Sequence, residues 1–231
     1  MKEEIKDAHS TQVIIAALNE EEGIGLTIAE LQKYLDSPWI LVVDGKSVDR
    51  TVEVAKTLGA EVLTQDGHGK GDALSKALTH LKPSINYVVI TDADYTYPAE
   101  NLPEMIRLLD ENPSVGMVCG NRFNGNVNRR ALRDMFYVGN RLISYTHNFF
   151  NGVQMEDPLT GLRVVRAEIL RDWKVKSKGF DIEVELNHLV ERKGFVIIEI
   201  PIQYRVRLGE KKLKARHGAT ILKRILLETF Y

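Results

Sequence analysis

The stretch VVITDADYTYP, Val88 to Pro98, sets two carboxylates, Asp92 and Asp94, directly after a run of β-branched residues. Such a run reads as a buried strand. One acid at its end can cap a helix. Two acids one residue apart repel each other unless a cation or a proton lies between them. The pair therefore calls for a metal ion, or for phosphate chemistry in which one carboxylate attacks.

On both sides of this stretch the first 120 residues repeat one rhythm. TQVIIAAL, WILVVD, AEVLT, NYVVITD and VGMVCG read as five strands. Between them, helices are predicted from Asn19 and Glu20 to about Leu35, from about Asp49 to Leu58, over GDALSKALTHL, and from about Pro98 to Leu109. Short apolar strands alternating with helices imply an α/β fold, a mostly parallel sheet covered on both faces. Ligands of such sheets bind at the carboxyl ends of the strands. Asn19, Asp44, Gly67 to Lys70 and Asp92 to Asp94 all emerge at that edge.

The second half follows another pattern. RRALRDMFYVGNRLISYTHNFFNGV is a long helical stretch, DPLTGLRVVRAEIL a loop feeding a short helix, and FDIEVELNHLVERKG a helix stopping at Gly194. FVIIEIPIQYRV reads as a strand, and a basic loop then leads to the amphipathic GATILKRILLETFY. No repeat or linker divides the chain. One domain over residues 1–231 is expected, residues 1–120 forming a first half and residues 121–231 an elaboration of it.

Composition sets bounds. A hydrophobic fraction of 44% and a charged fraction of 27% are those of an ordinary globular protein. The formal charge of -1 hides eight Lys or Arg against one acid between Gln203 and Arg224; a solvated face or a binding surface both account for it. Cys119, the single cysteine, excludes an intrachain disulfide and sits in an apolar segment as a small core residue. The first twelve residues are polar and charged, unlike a signal peptide, and the longest apolar runs fall far short of the ~20 residues a membrane-spanning helix needs.

Each motif has a plain structural reading beside the chemical one. In LVVDGKSVDRT, Ser47 and Asp49 suit helix capping, whereas Asp44 leaves its strand where a carboxylate can accept from a base or a ribose. QDGHGKGDAL places three glycines around Lys70 at a helix start, either a phosphate cradle or a glycine turn. A strand followed by DxDxT also opens the haloacid-dehalogenase type of phosphatase. That chemistry needs a Gly-Asp after the motif, and the only one here, Gly71-Asp72, precedes it.

The ordered series of strand, NE, strand-Asp, Gly-Lys helix and strand-DxD resembles the GT-A glycosyltransferases of the inverting family 2. VCGNRF, DPLTGLR, GFDIEVE and YRVRLGEKKLKARHGATILKRIL resemble the polyprenyl-phosphate glycosyltransferases, above all the dolichyl-phosphate mannose synthases. The resemblance spans about Val13 to Leu226. It implies that Glu20 and Asp44 hold the base and ribose of a nucleotide sugar, with backbone contacts from Ala16 and Leu18. Asp92 and Asp94, with Ala93 between them and Thr96 as a further oxygen, would bind Mg²⁺ or Mn²⁺ on the diphosphate. Lys70 and Lys178 would contact the donor. Arg122, Lys212 and either Arg205 or Arg207 would meet phosphates of donor or acceptor, and Thr160, Gly161 and Arg163 would form the acceptor loop. Asp92, Asp94, Arg122 and Lys212 would carry the catalysis.

The chain departs from that pattern at Ala16, Leu18, Gly45, Thr96 and Lys211, which bears on the choice of sugar and nucleotide. The implied reaction is transfer of a hexose, foremost mannose from GDP-mannose, to a polyprenyl or dolichyl phosphate. UDP-glucose or UDP-GlcNAc are alternative donors. A soluble or polysaccharide acceptor is the alternative acceptor, for which Glu156-Asp157 would supply an acidic base. A non-catalytic nucleotide-binding subunit is a third reading, at odds with the intact DxD. A lipid acceptor implies a peripheral enzyme on the cytoplasmic face of a membrane, met through the basic, aromatic helices of the second half. A homo-oligomer or an anchoring partner is compatible with this; a nucleic acid is not expected.

Overall fold

A computed structural model describes residues 10–123, 135–150, 154–210, 212 and 216–230. The elements run β1 (Thr11–Ala17), α1 (Ile24–Tyr34), β2 (Trp39–Asp44), α2 (Thr51–Thr57), β3 (Glu61–Thr64), α3 (Lys70–Leu78), β4 (Tyr87–Asp92), α4 (Leu102–Glu111) and β5 (Val115–Asn121). There follow α5 (Met135–Phe150), β6 (Arg163–Arg166), α6 (Ala167–Leu170), α7 (Ile182–Arg192), β7 (Val196–Pro201) and α8 (Arg216–Thr229). The seven strands form one sheet in the order β3-β2-β1-β4-β6-β5-β7. All pairs are parallel except those of β6, which runs antiparallel to both β4 and β5.

The central strands β1, β2, β4 and β5 are buried along nearly their whole length because helices cover both faces of the sheet. Val13 and Ile15 of β1 enter a cluster with Ile24 and Ile28 of α1 and with Leu102, Met105 and Leu109 of α4. Ile14 between them points the other way, toward Ala73 and Leu74 of α3 and Ile182 and Leu186 of α7. Period-2 alternation within one strand thus builds two cores. A third, small cluster joins Ile143 of α5, Val184 of α7 and Ile221 and Ile225 of α8. Cys119 is fully buried in the second core, and burial pushes its thiol up to about 12.

The four expected helices of the first half form; α1, α2 and α4 start a few residues late, whereas α3 starts at Lys70 and stops three residues short, at Leu78. α7 ends as its sequence implies, with Gly194 at φ +80°. The segment DPLTGLRVVRAEIL is different: its RVVR is the strand β6, which fills the sheet between β4 and β5. Four residues carry too little pattern to announce a strand, and this one is defined by partners more than 40 and 70 positions away. Part of the long helical stretch, residues 129–134 and 151–153, lies outside the described residues. Among the described residues no helix is long and apolar enough to cross a membrane.

Candidate active site

The parallel register sets the ends of β1, β2 and β4 side by side: Ala17 pairs with Asp44, and Ala16 with Asp92. The chain leaves these ends through strained turns. Asn19, Lys46 and Tyr95 all have positive φ, at 49°, 69° and 63°; such backbone persists only where surrounding contacts hold it. Asp44 accepts the N–H groups of Lys46 and Ser47, at 3.0 and 3.1 Å. Ser47 Oγ accepts from Asn19 N–H at 2.8 Å, Thr51 Oγ1 from Glu20 N–H at 2.8 Å, and Asp49 from the N–H groups of Thr51 and Glu21. The second loop therefore fastens the first. Ser47 and Asp49 organise backbone, but only Asp49 meets a helix N–H, that of Thr51; the N-cap of α2 is Arg50 and Ser47 serves the Asn19 loop instead, which corrects its capping reading.

Asp92 and Asp94 have different partners. Asp92 receives the Lys70 ammonium at 2.7 Å, and the same ammonium meets Glu183 of α7 at 2.8 Å. Burial works against the charges, but Lys70 still holds the Asp92 carboxyl below its usual range. Lys70 is itself raised by Asp92 and Glu183 despite its burial. Asp94 is pushed the other way, upward, by burial and then by the neighbouring Asp92 charge. Its Oδ1 accepts the Thr96 N–H at 3.1 Å and the Thr96 hydroxyl at 2.6 Å. Its Oδ2 pairs with Arg207, whose other nitrogen pairs with Glu20.

Glu20 is raised to about 7, foremost by burial, against the lowering pull of Arg207 and Lys212. Its Oε2 is buried without a hydrogen-bond partner. Lys212 Nζ donates to the Asn19 carbonyl at 3.0 Å and stands 3.7 Å from Glu20. The segment that brings these cations is laced to the DxD loop by its backbone. Arg205 N–H donates to Thr96 O at 2.9 Å, and Leu208 N–H to Asp94 O at 3.2 Å. Arg205 turns outward to a bidentate pair with Glu30 of α1, at 2.6 and 2.7 Å. Of the two arginines it is Arg207 that faces the carboxylates.

Arg122 follows β5 and is locked bidentately to Asp157 at 2.6 and 2.7 Å. Asp157 is 1% exposed, and Glu199 fixes the N–H groups of Glu156 and Asp157. The pair Glu156-Asp157, read above as a candidate base for a soluble acceptor, is thus tied into protein contacts. Tyr97 and Tyr204 stack edge-on at 5.2 Å, and the Arg122 guanidinium lies 5.6 Å from the Tyr204 ring. Tyr97 hydroxyl accepts from Gly161 N–H at 2.7 Å. A Cβ on Gly161 would come within 2.6 Å of Asp92 Oδ2, so only glycine lets the Thr160–Gly161 turn reach the carboxylate.

Some expected residues sit elsewhere. Arg163 is 1% exposed and spends its guanidinium on Thr160 O, Pro158 O and Asn187 Oδ1 at 2.9, 2.7 and 2.5 Å. It pins the DPLTG turn from beneath and has no face for an acceptor phosphate, which corrects the role the resemblance implied. The Thr96 hydroxyl is fully buried and donates to Asp94, so it orients that carboxylate rather than standing open as a metal ligand. Thr160 is buried and its hydroxyl has no partner among the described residues. Ala93 is buried, its carbonyl accepting from Thr27 at 3.3 Å, whereas Leu18 and the Lys178 side chain are exposed at the rim. Ala16 lines a small cavity behind Lys70 with Ile14, Leu74, Ile90 and Leu186.

A divalent cation fits this donor set. Asp94 already keeps a cationic partner, its carboxyl is destabilised by the Asp92 charge, and both acids are hard oxygen donors. Among the described residues no third His, Cys, Asp or Glu completes a protein-only metal site. The fit is therefore to an ion such as Mg²⁺ or Mn²⁺ that takes most of its shell from water and phosphate oxygens.

This edge of the sheet sets paired acids against cations, Asp92 with Lys70 and Asp94 with Arg207. The family model described as glycosyl transferase family 2 matches residues 12–173, and the chain belongs to that family. It is 34% identical over 213 residues to a dolichyl-phosphate hexose transferase of Haloferax volcanii, covering 91% of this chain and 89% of the relative. It is 32% identical over 215 residues to an undecaprenyl-phosphate mannosyltransferase of Micrococcus luteus, covering 87% and 86%. A crystal structure of glucosyl-3-phosphoglycerate synthase from Mycobacterium tuberculosis with Mn²⁺, UDP-glucose and phosphoglyceric acid superposes with a TM-score of 0.76 at 20% identity, over 96% of this chain and 80% of that one. The sheet and its helices are those of GT-A glycosyltransferases.

Proposed function

We propose that this glycosyltransferase moves a hexose, mannose from GDP-mannose in the first instance, onto a polyprenyl phosphate at a membrane surface. The observation that carries this is the convergence of the Arg207 and Lys212 cations on Glu20 and Asp94. Of the pair Glu156-Asp157 that would serve a hydroxyl acceptor as base, Asp157 is buried and bidentate to Arg122, and Glu156 accepts from Asn121 Nδ2 at 2.9 Å. A phosphate oxygen is already anionic and needs no base; it needs cations. Arg207, Lys212 and Arg122 supply them, and the relatives named above act on lipid phosphates by their own descriptions.

In this reading Glu20 and Asp44 receive the base and ribose, and Lys178 at the rim faces the donor phosphates. Asp92 and Asp94 hold a divalent cation, which when bound offsets charge on the departing diphosphate. An acceptor oxygen held by Arg207 and Lys212 attacks the anomeric carbon in line, the bond to the nucleoside diphosphate breaks, and the anomeric centre inverts. α5 exposes Tyr145, Phe149 and Phe150, and α8 exposes Leu226 and Leu227 with Phe230 just after it, a composition that suits contact with a bilayer where the acceptor's tail resides.

The test is a donor screen. Radiolabelled GDP-mannose, UDP-glucose and UDP-GlcNAc are each offered with dolichyl phosphate and Mg²⁺, and the label is followed into organic solvent. Label in the organic phase that requires the lipid phosphate supports the proposal. Label confined to water-soluble products of a hydroxyl acceptor contradicts it.

A further inference from the structure

α7 carries acids on opposed faces, and the carboxylate edge of the sheet uses only one of them. Glu183 points to Lys70. Asp181 at the helix start and Glu185 one turn on point away, toward α8. There Arg224 meets both, 3.2 Å from Asp181 and 3.9 Å from Glu185, and reaches Glu228 of its own helix at 3.3 Å. Asp181, Glu185 and Glu228 are all buried. Buried charges are costly unless paired, and the transfer reaction as outlined leaves this cluster without a task.

Glu185 has further work. It accepts from Trp173 Nε1, Lys176 N–H and Ser177 N–H at 3.0, 2.8 and 2.6 Å, which fixes the segment before α7. The next carbonyl, Lys178 O, receives the N–H groups of Gly71 and Asp72 at 3.0 and 3.2 Å. A Cβ on Gly69 or Gly71 would collide with the carbonyls of Lys178 or Ser177, so the start of α3 is pressed against this segment. Lys70 stands between those two glycines. Its ammonium is held by Glu183 and its backbone neighbours by the 177–178 segment, and both holds lead back to the start of α7 that Arg224 grips.

We infer that Arg224 is a positioning residue for glycosyl transfer: by clamping the start of α7 to α8 it fixes Lys70, and through Lys70 it fixes Asp92. It touches no substrate. The effect on turnover rests on the assignment of Asp92 to the donor site, whereas the clamp itself does not. α8 also exposes Leu226 and Leu227, with Phe230 just after it, so a disturbance of that face has a route to the reaction centre.

The experiment follows the Lys70 ammonium by ¹⁵N NMR in the full chain, since an ammonium locked between two carboxylates exchanges its protons slowly enough to be seen. The signal should be present in the wild type, lost in Arg224→Met, and retained in Arg224→Lys. It should also persist in Arg107→Gln, a control at the exposed pair with Glu111. Turnover in Arg224→Met should fall by roughly tenfold or more, the scale lost when an outer partner of a ligating group is removed. KM for the nucleotide sugar should stay within about twofold, and Arg224→Lys should restore the rate. Adding Arg224→Met to Glu183→Gln should cost little beyond Glu183→Gln alone, because residues acting through one chain are not additive. A Lys70 signal that survives Arg224→Met, or is absent from the wild type, overturns the inference, as does a double variant that loses the product of the two single losses. Should Arg224→Met fail to fold, Asp181→Asn weakens the same clamp and is judged by the same signal. If the wild type transfers nothing to polyprenyl phosphate, the functional proposal fails while the Lys70 signal still decides the clamp.

Discussion

The parallel half of the molecule supplies most of the acids of the site and the second half supplies most of the cations. Glu20, Asp44, Asp92 and Asp94 stand at the ends of β1, β2 and β4, each placed by a strand whose register is set by its neighbours. Arg122, Arg207 and Lys212 arrive on connecting segments and are aimed by the acids they meet. Lys70 and Glu183 cross this division, and they pair with each other. The contrast is between negative charge fixed at strand ends and positive charge brought on connecting segments, each cation paired with an acid.

The largest effect expected from breaking this arrangement lies on the rigid side. Asp94→Ala should lower the transfer rate by at least about a hundredfold, the scale lost with one stabiliser of developing charge. Initial rates with and without EDTA check it; full activity in chelator, or an active variant, would count against the metal. Next comes the support beneath the cationic side. Arg163→Met leaves two carbonyls and the Asn187 oxygen without their donor, which should cost about 2 kcal/mol in urea melts. Because its guanidinium is wholly enclosed, KM for polyprenyl phosphate should hardly move.

The two arginines of the 203–208 segment sharpen the comparison further. Arg207→Met should raise KM for the lipid phosphate about tenfold, as expected for loss of one charge-assisted contact. Arg205→Met, which loses only the half-buried pair with Glu30, should stay within about twofold. Equal and mild effects from both would mark the segment as a solvated basic face.

The smallest effect is on pH dependence. Burial lowers His147 of α5 and His188 of α7 from 6.5 to about 4. The unfolded chain then binds more protons between those values, so the stability from keeping the rings neutral is complete above about 6.5 and lost as pH falls toward 4. At pH 5.5 this amounts to about 1 kcal/mol for each ring. Glu20 acts in the opposite sense, its contribution fading as pH rises from 4.5 through about 7. His188→Gln should therefore flatten the acid limb of a melting-temperature profile and leave the neutral limb in place.

Much of the rigid side could be read from the sequence. Each acid follows a run of β-branched residues, and the βα rhythm alone brings those run-ends to one edge. The cationic side could be read only by type. Alternation along Tyr204 to Arg207 says that one arginine faces inward, but Glu30 and Asp94 decide which, and they lie 175 and 113 positions away. RVVR concealed β6 for the same reason: its character as a strand comes from β4 and β5. Arg163 was assigned by resemblance to the turn it supports, and nothing local to the motif distinguishes a guanidinium above that turn from one below it. The clamp around Arg224 shows only its i,i+4 pairing with Glu228 locally; Asp181 and Glu185 belong to another helix, and that packing is tertiary.

The division between the two sides is tested most directly by equilibrium binding of each ligand to two variants. Asp94→Ala should lose affinity for the nucleotide sugar in the presence of Mn²⁺ and keep its affinity for a short polyprenyl phosphate. Lys212→Ala should show the converse, weaker lipid-phosphate binding with the donor affinity nearly intact. A crossed pattern is the expected result; loss of the same ligand in both variants, or of neither, would contradict a site in which one half holds the donor and the other the acceptor.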